Sequence, residues 1–124
     1  MIEAYFRQLE LLIAQTVIIA SSTVTYDKRS PQIGFIRGSL YFINGSVLHF
    51  REFANVQSGA ERYMYVYHYQ EADGTLIFRY DNTHHFPNLP NFPHKHEGDE
   101  ASVMSAAEPD LQTILNEIRG LIIT

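Results

Sequence analysis

The feature that most constrains the fold is a strand–turn–strand pattern over residues 62–82. The run RYMYVYHYQ, residues 62–70, alternates aromatic and other side chains, which is typical of a β-strand. EADGT at 71–75 fits a type I turn with a glycine bulge at Gly74, and TLIFRYDN at 75–82 indicates the returning strand. The pattern therefore predicts an antiparallel hairpin.

This turn also predicts which side chains share a face of the hairpin. Because side chains alternate between the two faces of a strand, a bulged turn at Gly74 divides the hairpin into two sets. The more apolar set is predicted to face the core. The other set is predicted to form a tyrosine ladder beside an arginine and an aspartate. The predicted core set is Met64, Val66, His68, Leu76, Phe78 and Tyr80, and the other set is Tyr65, Tyr67, Tyr69, Ile77, Arg79 and Asp81.

The N-terminal half of the chain predicts one helix and a further set of strands. Apolar residues at helical spacing over 2–14 indicate an amphipathic helix, and the β-branched run at 16–26 indicates a strand. Residues 33–43 and 46–53 indicate two more strands. Asn44-Gly45 between them is typical of a two-residue turn, since both residues tolerate positive φ. Such a turn would pair Phe42 with Val47, Leu40 with His49 and Arg37 with Glu52.

Residues 84–96, HHFPNLPNFPHKH, hold four of the six histidines of the chain together with three prolines. Proline cannot donate to a strand ladder, so this segment predicts an irregular loop. An acidic linker rich in small residues follows at 97–108. Pro109 then opens a final amphipathic helix, with Ser105 or Glu108 as its expected cap.

The order of these elements predicts the fold class. Short connections favour successive strands as neighbours in one sheet. We expect a single α+β domain over residues 1–124, with an antiparallel meander sheet of about five strands and an N-terminal and a C-terminal helix on one face. The histidine- and proline-rich loop and the acidic linker, residues 84–108, form its irregular part.

Composition narrows the classes of function. The chain has no cysteine, which excludes a disulfide framework, a thiolate metal site and a cysteine nucleophile. The net charge of −5 argues against nonspecific nucleic-acid binding as the main role, because neutralising phosphates requires clustered Lys and Arg. No stretch approaches ~18 consecutive apolar residues and no signal-peptide pattern is present, so we expect a soluble cytoplasmic protein without a membrane partner.

One interpretation of the histidine-rich segment is a metal site. His94 and His96 are separated by one residue, so an extended chain places both imidazoles on one side. His84 or His85 would add a third ligand, and Asp81 or Glu97 a carboxylate. Zinc or another borderline divalent metal accepts these ligand types. No recognised metal signature is matched, so the expectation is a site without a cofactor, and a metal-dependent hydrolase is an alternative.

A second interpretation is a metal-independent ribonuclease. Such an enzyme needs a base for the 2′-hydroxyl, an acid for the leaving oxygen and a cation for the phosphorane. Arg79 would neutralise the phosphate, and Asp81 would orient an imidazole. The base and the acid would come from His84, His85, His94 and His96.

A non-catalytic binding module also fits the sequence. A proline-rich loop often packs across a sheet with its histidines hydrogen-bonded to the backbone. Arg79 and Asp81 would then form a surface ion pair that contributes little to stability. The ladder of Tyr65, Tyr67 and Tyr69 would hold a protein partner or a second copy of the chain; in the catalytic interpretation it would stack bases. Elsewhere, His49 and His68 are predicted to be structural, and Arg51 and Glu52 an exposed rim.

The second hairpin and the segment after it resemble one known family. The run YHYQEADGTLIFRYDNTHHFPNLPNFPHKHEGDE, followed after an acidic gap by PDLQTILNEI, is similar to the TumE family of small bacterial proteins. The shared pattern is a Tyr-x-Tyr strand, the strand G-x-L-I-F-R-Y-D-N, a histidine pair and F-P-H-x-H, and it covers Tyr67 to Glu97 closely. The N-terminal part, a helix followed by R-G-x-L-x-F and L-x-F-x-E, is similar but less distinctive.

The resemblance implies the toxin component of a type II toxin–antitoxin pair, neutralised by a helix-turn-helix antitoxin protein encoded beside it. It implies growth inhibition, with RNA as the expected target. It supplies no established catalytic set, so the sequence leaves an enzyme, a binding module and a homodimer open. The positions that match the family pattern and carry candidate chemistry are Arg79, Asp81, His84, His85, His94 and His96.

Overall fold

The described residues form two helices and a seven-stranded antiparallel sheet in which every strand lies beside its neighbour in sequence. This computed structural model describes residues 1–59, 61–82 and 109–123, and the backbone alone of 94–97 and 103–105. The predicted α+β meander with a helix at each end is confirmed. The elements are α1 (Ile2–Gln15), β1 (Ile19–Lys28), β2 (Ile33–Phe42), β3 (Val47–Asn55), β4 (Glu61–Gln70), β5 (Leu76–Asp81), β6 (His94–Glu97), β7 (Val103–Ser105) and α2 (Leu111–Ile122).

The sheet continues beyond the five predicted strands. β6 pairs with β5 and β7 pairs with β6, so the predictions of an irregular loop at His94–His96 and of a linker at 103–105 are wrong. The prolines of this region all precede His94 in sequence, so β6 itself contains none and can form a ladder. The remaining residues of 84–108 lie outside those that the structure describes.

α1 packs its apolar stripe onto the N-terminal strands. Its buried residues, Ile2, Phe6, Leu9 and Ile13, recur at helical spacing and belong to one core cluster with the sheet. The helix approaches β2 closely at Gly34. A methyl group added there would lie only 2.5 Å from the Cζ atom of Phe6, so the contact requires a residue without a side chain.

α2 covers the same face of the sheet. Its cap is Asp110, whose carboxylate accepts a hydrogen bond of 2.8 Å from the backbone N–H of Thr113, so the predicted cap at Ser105 or Glu108 is wrong. Within the described residues, no helix is long and apolar enough to span a membrane. The residues that α2 buries in the common core are Leu111, Ile114, Leu115 and Ile118.

The β2–β3 turn differs from the prediction by one residue. Gly45 has φ +88°, but none of the described non-glycine residues has positive φ, so Asn44 does not adopt the conformation of a two-residue turn. The Gly45 N–H instead donates to the Phe42 carbonyl at 3.0 Å, and the Phe42 N–H donates to the Ser46 carbonyl at 2.9 Å. The predicted pairs are therefore wrong, and the observed ones include Tyr41–Val47, Leu40–Leu48, Ser39–His49 and Arg37–Arg51.

The β4–β5 hairpin carries a bulge that the sequence pattern does not reveal. Gly74 has φ +94° at the predicted turn, but Tyr69 pairs with Phe78 and Gln70 with Leu76, which leaves Ile77 as an extra residue. Such a slip transfers the following side chains to the opposite face. The predicted core face is therefore wrong for β4, whereas Phe78 and Tyr80 of β5 lie on the core side as predicted. The core side of the hairpin carries Tyr65, Tyr67, Tyr69 and Phe78, with Tyr80 packed against them.

Candidate active site

The face of the sheet opposite the helices, here called the distal face, carries the candidate site. Antiparallel register aligns its residues in rows that cross the strands. One row runs through Thr23, Ser39, His49, His68 and Arg79 to the backbone position of His96, and the next runs through Thr25, Arg37, Arg51, Val66 and Asp81 to the backbone position of His94.

A cavity of about 410 Å³ lies over the middle of these two rows. Ligand sites typically have volumes of about 300–1,000 Å³, so this cavity is large enough for a small ligand or a short stretch of a polymer. Its lining is rich in cations and imidazoles, which suits an anionic ligand. The charged and titratable residues that line it are Arg37, Arg51, Arg79, His49 and His68.

Arg79 and Asp81 form an ion pair at one side of the cavity. The Arg79 Nε atom lies 3.0 Å from Oδ2 of Asp81, whose side chain is fully buried, whereas the Arg79 side chain is 23% exposed. The interpretation of this pair as a solvated surface contact is therefore wrong. The buried carboxylate orients the guanidinium at the edge of the cavity that Arg79 lines.

His49 and His68 face each other across β3 and β4 in the same cavity. They are direct cross-strand partners, and their ring centroids are 6.4 Å apart. Nδ1 of His49 lies 2.7 Å from the Ser39 hydroxyl. Nε2 is therefore the ring nitrogen that can exchange a proton with a ligand. The prediction that His49 and His68 are purely structural did not anticipate that both line this cavity. The signal was present in the sequence, because His49 lies between two core residues, Leu48 and Phe50, and must therefore face away from the core.

Arg37 and Arg51 occupy the opposite side of the cavity from Arg79. Both side chains are exposed, as predicted for Arg51, and the two residues are direct partners across β2 and β3. Neither side chain forms a hydrogen bond or an ion pair with another described residue. The cavity thus concentrates three cationic side chains on one face of an acidic chain.

Glu52, in contrast, lies in the core and not on the predicted exposed rim. It is fully buried and accepts hydrogen bonds from the hydroxyls of Tyr67, at 2.5 Å, and of Tyr5. Arg62 donates to the Tyr67 hydroxyl at 2.8 Å. Burial and the neighbouring Glu52 carboxylate raise the pKa of both tyrosines well above the ordinary value. These hydroxyls therefore stay protonated and act as donors to Glu52.

The tyrosine ladder is not available as a binding surface. Tyr65, Tyr67 and Tyr69 are at most 1% exposed, so the prediction that they stack bases or hold a partner is wrong. The bulge at Ile77 in the adjacent strand places Phe78 opposite Tyr69 and Tyr80 opposite Tyr67, where the prediction had Ile77 and Arg79. Their aromatic area stabilises the core instead.

The candidate histidines of the 84–96 segment are placed only in part. Residues 94 and 96 pair with Asp81 and Arg79 respectively across β5 and β6. His84 and His85 lie outside the described residues. Among the side chains that the structure describes, no three His, Asp or Glu residues come together as a group that could hold a metal ion. The proposed metal ligands His94 and His96 are described by their backbone only.

Comparison with models of known protein families shows which family the chain matches. A family model described as Toxin TumE matches residues 8–122 of the 124-residue chain. The resemblance, most specific over Tyr67 to Glu97, therefore extends across nearly the whole chain and is confirmed. No curated protein and no solved structure matches the chain.

Proposed function

The chain belongs to the TumE family and is the toxin component of a toxin–antitoxin system with an antitoxin as its partner; we propose that it acts by cleaving RNA, without a metal ion, at the distal face. The observation that carries this proposal is the row of histidines around Arg79. His68 on β4 and the backbone position of His96 on β6 are the two cross-strand neighbours of this arginine. Two imidazoles and one guanidinium are the groups that metal-free RNA cleavage requires.

The proposed reaction is attack of a 2′-oxygen on the adjacent phosphorus. One imidazole takes the 2′-hydroxyl proton as the O2′–P bond forms, and a second imidazolium gives a proton to O5′ as the P–O5′ bond breaks. The products are a 2′,3′-cyclic phosphate and a 5′-hydroxyl. Arg79 donates to the non-bridging oxygens, where negative charge increases in the transition state, and Asp81 holds the guanidinium in place.

The proposed acid and base are His68 and His96, because they flank Arg79 in the register. His94 is proposed to contact the same phosphate from its position opposite Asp81. His84 and His85 are the other candidate imidazoles from the family pattern. All of these residues lie within Tyr67 to Glu97, the part of the chain that is most distinctive of the family.

The distribution of charge supports an anionic substrate despite the net charge of −5. Three of the arginines of the chain line one cavity. A local cluster of this kind attracts phosphate even where the whole molecule is acidic, since fields within clefts depend on nearby charges. We therefore propose RNA as the target in the cytoplasm and, from the family resemblance, a helix-turn-helix protein as the antitoxin.

A growth assay on induced expression tests this proposal. The native chain is expected to arrest growth, and the His94→Ala/His96→Ala double variant is expected to lose this effect. Arg7→Gln, which alters an exposed residue of α1, is the control and should arrest growth like the native chain. Absence of arrest by the native chain would contradict toxicity, and arrest by the double variant at equal protein level would contradict the site.

A further inference from the structure

The pair of Arg37 and Arg51 has no role in the proposed reaction. We infer that these two arginines form a second phosphate-binding subsite, so that the substrate is an extended single strand of RNA bound across β2 to β5. The inference rests on the proposed function, in which Arg79 holds the phosphate that reacts. It adds that a neighbouring phosphate of the same strand binds at the other side of the cavity.

The first argument concerns the electrostatics of the pair. Arg37 and Arg51 lie directly opposite each other in neighbouring strands. Like charges in this position destabilise a sheet. The chain has 14 acidic and 9 basic residues, yet no described carboxylate pairs with either arginine. A bound anion between the two guanidinium groups would remove the repulsion and use donors that no described residue engages.

The second argument is the separation of the cations. Neighbouring strands lie about 4.8 Å apart, so β3 and β5 are separated by roughly 10 Å. Arg51 on β3 and Arg79 on β5 therefore contact the cavity from two sides, and His68 lies on the strand between them. A strand that carries successive phosphates matches this arrangement, whereas a nucleotide with one phosphate satisfies one side only.

The third argument is the size of the cavity. A volume of about 410 Å³ is that of a site for a small ligand, too small to enclose a duplex. A single strand can enter it one or two nucleotides at a time. Thr23 and Thr25 of β1 line the same cavity beside the two arginines, and their hydroxyls supply neutral donors for the sugar–phosphate backbone.

The test is the affinity of the full chain for 2′-O-methyl oligouridines, which cannot be cleaved by the proposed reaction. At low salt the tetranucleotide is expected to bind about tenfold more tightly than the dinucleotide, since it reaches both subsites. Arg37→Gln/Arg51→Gln should abolish this gain and leave dinucleotide binding within about twofold. Arg37→Lys/Arg51→Lys keeps the charges and should retain much of the gain, and Arg7→Gln should retain all of it.

The salt dependence gives a second readout of the same contact. For single strands the slope of log K against log salt changes by about 0.7 for each phosphate that is neutralised. The Arg37→Gln/Arg51→Gln variant should therefore show a slope for the tetranucleotide that is flatter by about 0.7. Its melting temperature should equal or exceed that of the native chain, because the substitutions remove a repulsive pair.

The outcomes separate this inference from the proposed function. Equal binding of the two oligonucleotides by the native chain, or a gain that survives in the Arg37→Gln/Arg51→Gln variant, overturns the subsite. Cleavage of unmodified RNA under those conditions would leave the proposed function intact. Suppose instead that the native chain gains affinity with oligonucleotide length, that the Arg37→Gln/Arg51→Gln variant loses this gain, and that unmodified RNA is not cleaved. This result would support the subsite and overturn only the proposed cleavage reaction.

Discussion

In β5, the Arg79 Nε atom donates a hydrogen bond of 3.0 Å to Oδ2 of Asp81, a carboxylate that is fully buried. Removing one partner of a buried ion pair takes away part of the interaction that compensates the other charge, which costs stability. Loss of function in Arg79→Ala would therefore combine an effect on the site with an effect on stability. Arg79→Lys, which keeps a cation beside Asp81, is the more informative variant for chemistry.

Asp81→Ala should destabilise the chain by about 2–4 kcal/mol, because it removes a fully buried carboxylate that lies 3.0 Å from the Arg79 Nε atom. The chain contains a matched control. Arg29 and Asp27 have the same spacing, and their Nε and Oδ2 atoms are 2.9 Å apart, but both side chains are about half exposed. Asp27→Ala should therefore change the free energy of unfolding by less than about 1 kcal/mol. Urea unfolding of both variants checks this, and equal losses would contradict the burial argument.

Gly34→Ala should destabilise the chain by about 1–3 kcal/mol, since the added methyl group meets the ring of Phe6 at 2.5 Å and displaces α1 from the sheet. Gly120 in α2 is the control, because nothing lies within 4 Å of a methyl group added there. Gly120→Ala should stabilise the chain by up to about 1 kcal/mol through helix propensity. Thermal melting of both variants measures the difference, and a neutral Gly34→Ala would show that α1 can shift without loss.

The buried hydroxyls of Tyr5 and Tyr67 predict a loss of stability at alkaline pH. Burial and then Glu52 raise their pKa above the ordinary value in the folded chain, whereas the unfolded chain ionises near about pH 10. Their contribution is therefore complete below about pH 10 and declines as the pH rises further, because only the unfolded state loses the protons. Burial also raises the pKa of Tyr26 to about 12, so its contribution declines over the same range.

Urea unfolding at pH 8 and above pH 10 measures this decline. Tyr67→Phe should reduce its slope and also lower stability at pH 8 by about 1–3 kcal/mol, because Glu52 loses a buried donor. Tyr41→Phe, which alters an exposed tyrosine and leaves Tyr5 and Tyr67 in place, should keep the native slope. An identical slope in Tyr67→Phe would contradict the assignment of the titrating group.

The sequence predicts the elements of this fold well because each of them carries a local signal. The helical spacing of Ile2, Phe6, Leu9 and Ile13 indicates α1. Gly45 and Gly74 mark two turns, and both glycines adopt positive φ there. The register between strands, in contrast to the elements, is not marked by a local signal. It depends on the number of residues in each turn and on bulges such as Ile77, whose apolar side chain resembles that of any strand residue.

The candidate site was likewise predictable where it depends on local spacing and not where it depends on the register between strands. Arg79 and Asp81 are correctly expected on one face from their spacing, but a slip of one residue gives them the wrong neighbours, Tyr67 and Tyr65 instead of His68 and Val66. The cavity itself arises from residues of five strands, β1 to β5, that span much of the sequence. Its arginines on β2 and β3 therefore give no local pattern, and only the assembled sheet brings them to Arg79.

The most direct test of the account is incubation of the purified chain with single-stranded RNA in the presence of EDTA, followed by analysis of the new ends. We predict that the native chain cleaves the RNA and leaves 2′,3′-cyclic phosphate and 5′-hydroxyl ends. The His68→Gln variant should cleave at least about a hundredfold more slowly, as expected for loss of a general acid or base. The Arg7→Gln control should cleave like the native chain. Intact RNA, or cleavage that requires an added divalent metal, would contradict metal-independent chemistry at the distal face.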